Sequence, residues 1–388
     1  MNGSNRRIYL DHAASTPVRP EVREAMEPYW SEEFGNPSGA HRAARAARRA
    51  VDEAREALAA VLGCEPADVV FTSGGTESDN LAVTGSALHA LGRGAATAVV
   101  CCSAIEHPAV LEPVRFLGGA ELPVHPDGLV DLEALEAVLA NEGDGVALVS
   151  VMLANNEIGV VEPVAAIAAL VRERAPQALV HTDAVQALRW IDLAAAAAAA
   201  DLVSVTAHKI GGPKGIGALV ARPRAREGLT PILRGGPQER ELRAGTLNVA
   251  GIVGFARAAE LAAAERSAAC AVAAARAAQL RAGLQAVEPK VTFAAEGAPR
   301  LDAIVNAGFP GISSEELLFV LDELGVAASA GSACASGALE PSPVLSALGL
   351  TAAEARSHVR FSLGPETTED EVAAAVDALG EALGRLRA

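Results

Sequence analysis

The sequence predicts an α/β fold, a mostly parallel sheet sheathed by helices, followed by a smaller α+β segment. Three observations carry this. Short, almost wholly apolar runs recur through the first part of the chain, and amphipathic stretches of helical period separate most of them. Continuous apolar runs mark strands buried on both faces, as in parallel sheets whose crossover helices cover both sides. Beyond about residue 250 the pattern changes to one long alanine-rich helix, then shorter strands and further helices.

In chain order, strands are predicted over residues 69–72, 98–102, 146–151, 178–181, 202–205 and 217–221, with helices over 77–90, 132–140 and 164–174 among those between them. The second segment opens with a helix over 252–285. Strands over 291–293, 303–306 and 359–362 follow, with helices over 314–324 and 369–386. The expected division is a large α/β domain over residues 15–255 and a small α+β domain made of 1–14 and 256–388, the N-terminal piece crossing to join it. No internal repeat is evident.

Composition narrows the function. Of 388 residues, 51% are hydrophobic but only 3% aromatic, so alanine and valine carry the core and elements pack closely. A net charge of −16 argues against a nucleic-acid binder, which needs a basic face. The basic cluster Arg42, Arg45, Arg48 and Arg49 is followed by Asp52, Glu53 and Glu56, and reads as a charged helix surface. The five cysteines, Cys64, Cys101, Cys102, Cys270 and Cys334, show no CxxC and no metal-ligand spacing, which fits a reducing cytoplasm and no metal site. The first residues lack the apolar stretch of a signal peptide. The apolar run 193–200 is far short of the ~20 residues a membrane span needs.

The chemistry concentrates where strands give way to loops. In Ser204-Val-Thr-Ala-His-Lys-Ile-Gly-Gly-Pro-Lys-Gly-Ile-Gly217, Lys209 stands between a buried strand and a glycine-rich turn. Desolvation there disfavours the ammonium and frees an amine for Schiff-base chemistry. Thr206 and His208 add a hydroxyl and an imidazole. Thr72-Ser-Gly-Gly-Thr-Glu-Ser-Asp-Asn80 follows a strand and opens a helix, so Gly75 and Thr76 are natural phosphate contacts. Taken alone it is equally an ordinary capped helix start. His107 closes Ser103-Ala-Ile-Glu-His107 and can stack on an aromatic ring and move protons. Asn155-Asn-Glu-Ile-Gly159 and His181-Thr-Asp-Ala-Val-Gln186 end two further strands. Asp183 can keep a pyridine nitrogen protonated, which makes the ring an electron sink. Each segment has a bland reading as a turn or cap, and five of them at one sheet edge weaken that reading together.

These segments, with Tyr9-Leu-Asp-His-Ala-Ala-Ser-Thr-Pro17, Gly35-Asn-Pro-Ser38, Gly235-Gly-Pro-Gln-Glu-Arg240, Arg243-Ala-Gly-Thr246, Gly331-Ser-Ala-Cys334 and Val359-Arg-Phe-Ser-Leu-Gly364, resemble the cysteine desulfurases of the NifS/IscS type, in order and over essentially the whole chain. The resemblance implies pyridoxal 5′-phosphate in the class V aminotransferase fold, a PLP-dependent transferase of fold type I. By that likeness Lys209 holds the cofactor as a Schiff base, His107 stacks on its ring and Asp183 meets the pyridine nitrogen. Gln186 and Asn155 lie near the ring and its 3′-oxygen, and Gly75, Thr76, Thr206 and His208 hold the phosphate. Thr246 reaches the phosphate of the neighbouring subunit, which implies a homodimer. Arg360 grips the substrate carboxylate, a task for which guanidinium geometry suits it. Asn36 and Asn155 are further candidates there.

The resemblance also assigns Cys334 as the thiol that takes sulfur from L-cysteine as a persulfide, releasing L-alanine. His107 is the expected relay for the thiol proton. The segment of about 328–343, rich in Gly, Ser and Ala, is expected to be a mobile loop that delivers sulfur to acceptor proteins for iron–sulfur assembly or for thiolation of tRNA or other molecules. The chain departs from the family's usual pattern at Gly211, where tyrosine is frequent, at Thr206, where serine is, and at Gly75, where alanine is. The rival readings are a selenocysteine lyase or another class V lyase or aminotransferase, none of which requires Cys334, and a non-catalytic sulfur carrier on the same fold. A nicotinamide dehydrogenase is remote, because Gly215-Ile-Gly217 lacks the third glycine and the following acid.

Overall fold

A computed structural model of the chain describes residues 7–331 and 341–388. Twelve strands are formed among them: β1 (Ile8–Tyr9), β2 (Val69–Thr72), β3 (Val99–Ser103), β4 (Ala120–Leu122), β5 (Val146–Ser150), β6 (Leu179–Asp183), β7 (Leu202–Thr206), β8 (Gly217–Ala221), β9 (Thr292–Phe293), β10 (Ile304–Gly308), β11 (Val326–Ala327) and β12 (His358–Ser362). Seven of them make one sheet in the order β2-β8-β7-β6-β5-β3-β4. All neighbours run parallel except β8, which is antiparallel to both β2 and β7. The carboxyl ends of β2, β3, β5, β6 and β7 therefore share one edge. Every residue of β2, β6, β7 and β8 is buried, as continuous apolar runs demand. The three-residue strand β4 escaped the sequence reading because its only buried residue is Leu122.

Helices cover both faces. Gly75–Gly92, Pro108–Phe116 and Leu132–Glu142 follow strands of the sheet, and Val164–Arg174 joins β5 to β6. Two apolar cores flank the sheet, one built on Val69, Phe71, Val149 and Val205, the other on Val70, Val100, Leu148 and Leu219. Alternate residues of the same strands enter opposite cores, which is the period-2 rule.

A separate core gathers Leu10, Phe309, Leu317, Phe361 and Leu379 around the antiparallel sheet β12-β10-β9. The 39-residue helix Val249–Val287 enters both. Ile252, Phe255 and Ala262 pack in the core of the large sheet, and Ala277, Leu280 and Leu284 in that of the small one. β1 pairs in parallel with β11, and Asp11 bridges to Ser362. The next residues then cross to the large sheet, where Thr16 Oγ1 donates to the His208 carbonyl at 2.8 Å and accepts from Gly211 N–H at 2.8 Å.

Candidate active site

At the shared carboxyl edge lies a cavity of about 300 Å³, lined among others by Thr76, His107, Asp183, Gln186, Lys209 and Arg360. Asp183 ends β6, Arg360 lies in β12, Thr76 opens the helix after β2, and the others come from the turns or loops that follow strands. The strand–loop alternation read from the sequence is what converges them.

Lys209 is half-buried, and its Nζ donates to the carbonyls of Ala13 at 2.5 Å and Ala14 at 2.9 Å. The N-terminal strap thus holds the amine at the cavity wall. Gly75 and Thr76 form the first turn of the 18-residue helix Gly75–Gly92 and present it to the cavity, where backbone N–H groups and the helix dipole favour an anion. Thr206 and His208 line the same end. Thr206 Oγ1 donates to the Ile216 carbonyl at 3.1 Å. Burial first, then the charges of Lys209 and Lys214, press His208 down to about 4, so its ring is neutral.

His107 caps the helix Pro108–Phe116, its Nδ1 accepting from Ala109 N–H at 3.1 Å. Burial and, second, the Lys209 charge bring its pKa down to about 4. With Nδ1 engaged as acceptor, the neutral ring carries its proton on Nε2. In that tautomer Nε2 can donate but cannot take up a proton, which speaks against the thiol-relay role expected for His107.

Asp183 is buried, and its Oδ1 accepts from Val185 N–H at 2.8 Å. Burial raises its pKa, while the Val185 N–H and the Lys209 charge oppose the rise. Gln186 is buried beside it, its Oε1 without a hydrogen-bond partner among the described residues. Arg360, 1% exposed, is held by three acceptors. Nη2 donates to Asp11 Oδ1 at 2.7 Å, and Nη1 to the carbonyls of Asn156 at 2.8 Å and Gly331 at 3.1 Å. Its Nε has no partner among the described residues.

Two expected residues stand elsewhere. Asn155 is fully buried and its side-chain amide is consumed locally. Oδ1 accepts from the N–H groups of Glu157 at 2.8 Å and Ile158 at 2.9 Å, and Nδ2 donates to the Ile105 carbonyl at 2.8 Å. Asn155 is the brace of this turn, and the next residue, Asn156, lines the cavity. In a paired Asn-Asn the sequence carries no signal for which one turns inward. Asn36 is exposed, and its Oδ1 caps its own turn from Ser38 N–H at 3.0 Å, outside the cavity lining, so it is not a substrate contact within this chain. Thr246 is likewise exposed and away from the lining. Cys334 and residues 332–340 around it lie outside the described residues.

Sequence reasoning missed three acids that line the cavity, Asp79, Glu106 and Glu157. All are buried, and each sits one to three residues from a motif position that had already been explained. It also missed how Gly211 is matched. That residue has φ +85°, and a Cβ there would lie 2.7 Å from Arg19 Cγ. The stem of Arg19, anchored by Glu265 at 2.5 Å and 2.9 Å, occupies the space a larger side chain would need.

These features fit one group. An amine-bearing lysine, a helix N-terminus suited to an anion and a buried carboxylate line one cavity, together with the unpartnered acceptor of Gln186. Pyridoxal phosphate has an aldehyde, a phosphate, a pyridine nitrogen and a phenolic oxygen to meet them.

The comparisons agree. The model of the Aminotransferase class-V family matches residues 8–375. The chain is 40% identical to a cysteine desulfurase IscS of Dictyoglomus turgidum, over 98% of this chain and 96% of that one. It is 39% identical to a cysteine desulfurase IscS of Methanosarcina thermophila, over 100% and 94%. Among solved structures, a NifS-like protein superposes with a TM-score of 0.89 at 34% identity, covering 98% and 100% of the two chains. A NifS-like protein from Rickettsia africae does so with a TM-score of 0.86 at 30% identity, again over 98% and 100%. From its lysine, its phosphate cradle and its kinship over the full length, the chain belongs to the pyridoxal-phosphate-dependent class V aminotransferase family, among the cysteine desulfurases of the NifS/IscS type.

Proposed function

We propose that the chain removes sulfur from L-cysteine, leaving L-alanine and a persulfide on Cys334. One observation carries the reading: a single cavity is lined by Lys209, Asp183 and Arg360 and also by Gly331, which shortly precedes Cys334 in the sequence. Bound pyridoxal phosphate supplies the electron sink for bonds at the cysteine α-carbon. Arg360 binds the substrate carboxylate, its guanidinium oriented by Asp11 and the Asn156 carbonyl, with Nε as the donor still unused. Lys209 Nζ takes the α-proton, and the Ala13 and Ala14 carbonyls aim it. The thiolate of Cys334 forms a bond to the substrate sulfur as the Cβ–S bond breaks, and the electron pair and a proton end on carbon as alanine. No outside oxidant is needed, because the sulfur is oxidised as Cβ is reduced. His107 contributes the face of its ring and the Nε2 proton.

Three further assignments belong to this proposal. The enzyme is a homodimer in which Thr246 reaches the partner's phosphate site. It works in the cytoplasm, and among the described residues no helix is long and apolar enough to cross a membrane. Its persulfide sulfur passes to acceptor proteins for iron–sulfur assembly or thiolation. The large domain of residues 15–255 and the small domain of 1–14 and 256–388 divide within the helix Val249–Val287, although Ala256, Ala258, Ala259 and Ala262 still pack in the core of the large sheet and the small core begins at Ala277.

The test mixes pure protein with cysteine and a reductant and measures sulfide and alanine together. Equal yields that vanish in Cys334→Ala support the proposal. Undiminished alanine from Cys334→Ala refutes it in favour of a lyase that needs no enzyme thiol.

A further inference from the structure

Asp79 lies on the helix Gly75–Gly92, is 0% exposed, and lines the same cavity as Asp183, whose charge it feels. Neither of its carboxyl oxygens is met by a backbone N–H or a cation within hydrogen-bonding distance among the described residues, and its favourable neighbour is the Ser204 hydroxyl. Among the described residues the basic group beside it is His181, whose Nε2 is 3.6 Å from Oδ1, beyond hydrogen-bonding distance. That imidazole is itself committed, with Nδ1 on Ser150 Oγ at 2.8 Å and Nε2 on Ser204 Oγ at 3.0 Å. Burial holds its pKa at about 3, so it offers Asp79 no positive charge.

The two aspartates are thus unequal. Asp183 has the Val185 N–H at 2.8 Å and the attraction of Lys209 to stabilise its charge. Asp79 has neither. Burial, and then the charge of Asp183, push the Asp79 carboxyl well upward, and a smaller opposing effect comes from the Ser204 hydroxyl. Two adjacent buried carboxyls cannot both ionise cheaply, and the proton goes to the one with fewer donors. Glu106, also buried with Oε2 unpartnered, faces the same cavity and is driven the same way by burial and by Asp183, so it offers no compensating charge.

We propose that Asp79 is a positioning residue that works as a neutral carboxylic acid behind Asp183, so that the pyridine end of the cavity holds a single negative charge, on Asp183, when the cofactor binds. The proposal rests on the pyridoxal phosphate site and adds to it a protonated acid that the pairing of Asp183 with the ring nitrogen does not require. An ionised Asp79 would place a second negative charge at the same end. A neutral one leaves the pairing of ring nitrogen and Asp183 as a balanced one-to-one contact.

The test uses the whole enzyme and does not read activity. Asparagine copies the shape and the neutral donor of a protonated aspartate. Asp79→Asn is therefore expected to bind pyridoxal phosphate, added back to cofactor-free protein, within about threefold of the wild type, with the absorbance maximum of the bound cofactor unmoved. A loss of about tenfold or more in a variant whose circular dichroism matches the wild type shows that a charge was removed, and overturns the proposal. Isotope-edited infrared spectra of wild-type holoenzyme, carrying ¹³C-labelled aspartate at pH about 8, read the group with no substitution at all. A protonated aspartate carbonyl band is expected, absent from Asp79→Asn. Should that variant not fold, the wild-type band decides alone, and its absence overturns the proposal. A wild type that binds no pyridoxal phosphate would instead strike at the cofactor assignment.

Discussion

Glu239→Ala is expected to destabilise the protein severely although the residue does not line the cavity. Glu239 and Arg55, 6% and 9% exposed, form a two-pronged ion pair, Nη1–Oε2 at 2.9 Å and Nη2–Oε1 at 2.6 Å. The pair also closes the edge of the large sheet. β2 is an outermost strand, and its outward Phe71 N–H donates to Glu239 Oε2 at 2.8 Å while its Val69 carbonyl accepts from Arg55 at 2.6 Å. The guanidinium also lies 4.6 Å from the Phe71 ring centroid. Glu239, Arg240 and Glu241 all have left-handed φ, 45°, 56° and 68°, so the loop is held in a strained form by what it binds. Truncating Glu239 strands a buried guanidinium, a loss of about 3–5 kcal/mol. The double variant Arg55→Met, Glu239→Leu separates the two roles. An isolated buried pair is often replaced by apolar residues at no cost. Here the Val69 carbonyl keeps Arg240 at 3.2 Å, but the Phe71 N–H is orphaned, so a deficit of about 1–3 kcal/mol persists. Urea unfolding followed by circular dichroism measures both. A double variant as stable as wild type, or a single-variant cost under about 1 kcal/mol, would refute the edge-closing argument.

Other outcomes follow from the site. Asn155→Ala should lower stability by about 2 kcal/mol or more, because buried N–H and C=O groups lose their partners. Asn156→Ala should leave the unfolding midpoint in place and weaken cofactor or cysteine handling, and equal thermal losses in the two would contradict the assignment. His107 is neutral above about 4, so the pH profile of kcat/KM should show no step from it between neutrality and pH about 5. A step there that disappears in His107→Gln would reverse this. His358, whose folded value burial lowers to about 4, takes up its proton in the unfolded chain near 6.5 but in the folded one only near 4. Its presence therefore costs stability progressively as pH falls through that window, and His358→Gln should gain on wild type across it in unfolding titrations. Burial raises the thiols of Cys64 and Cys101 to about 12 and those of Cys102 and Cys270 upward as well. Brief alkylation near neutrality should consequently mark Cys334 first by peptide mapping.

Much of this was legible beforehand, for a physical reason. Strands buried on both faces must be apolar throughout, so β2 and β8 were bounded to the residue, and the glycine-rich turns after β2 and β7 had to open at the sheet edge. What stayed hidden depends on direction and not on type. Either of two adjacent asparagines can brace a turn, and only the backbone path decides that Asn155 does so while Asn156 faces the cavity. Asp79 looks like any polar residue in a helix's first turns, and its burial appears only once β6 and β7 pass alongside. The N-terminal Ala13 and Ala14 carry no chemical label, because the groups that meet Lys209 are their main-chain oxygens.

The helix Val249–Val287, at 1.5 Å per residue, is a beam of about 58 Å rooted in both cores. Glu265 sits partway along it and grips Arg19, whose stem lies against Gly211, two residues from Lys209. A load arriving at the C-terminal sheet is thus delivered to the lysine's own turn as the tilt of one stiff member, with no slack chain to absorb it.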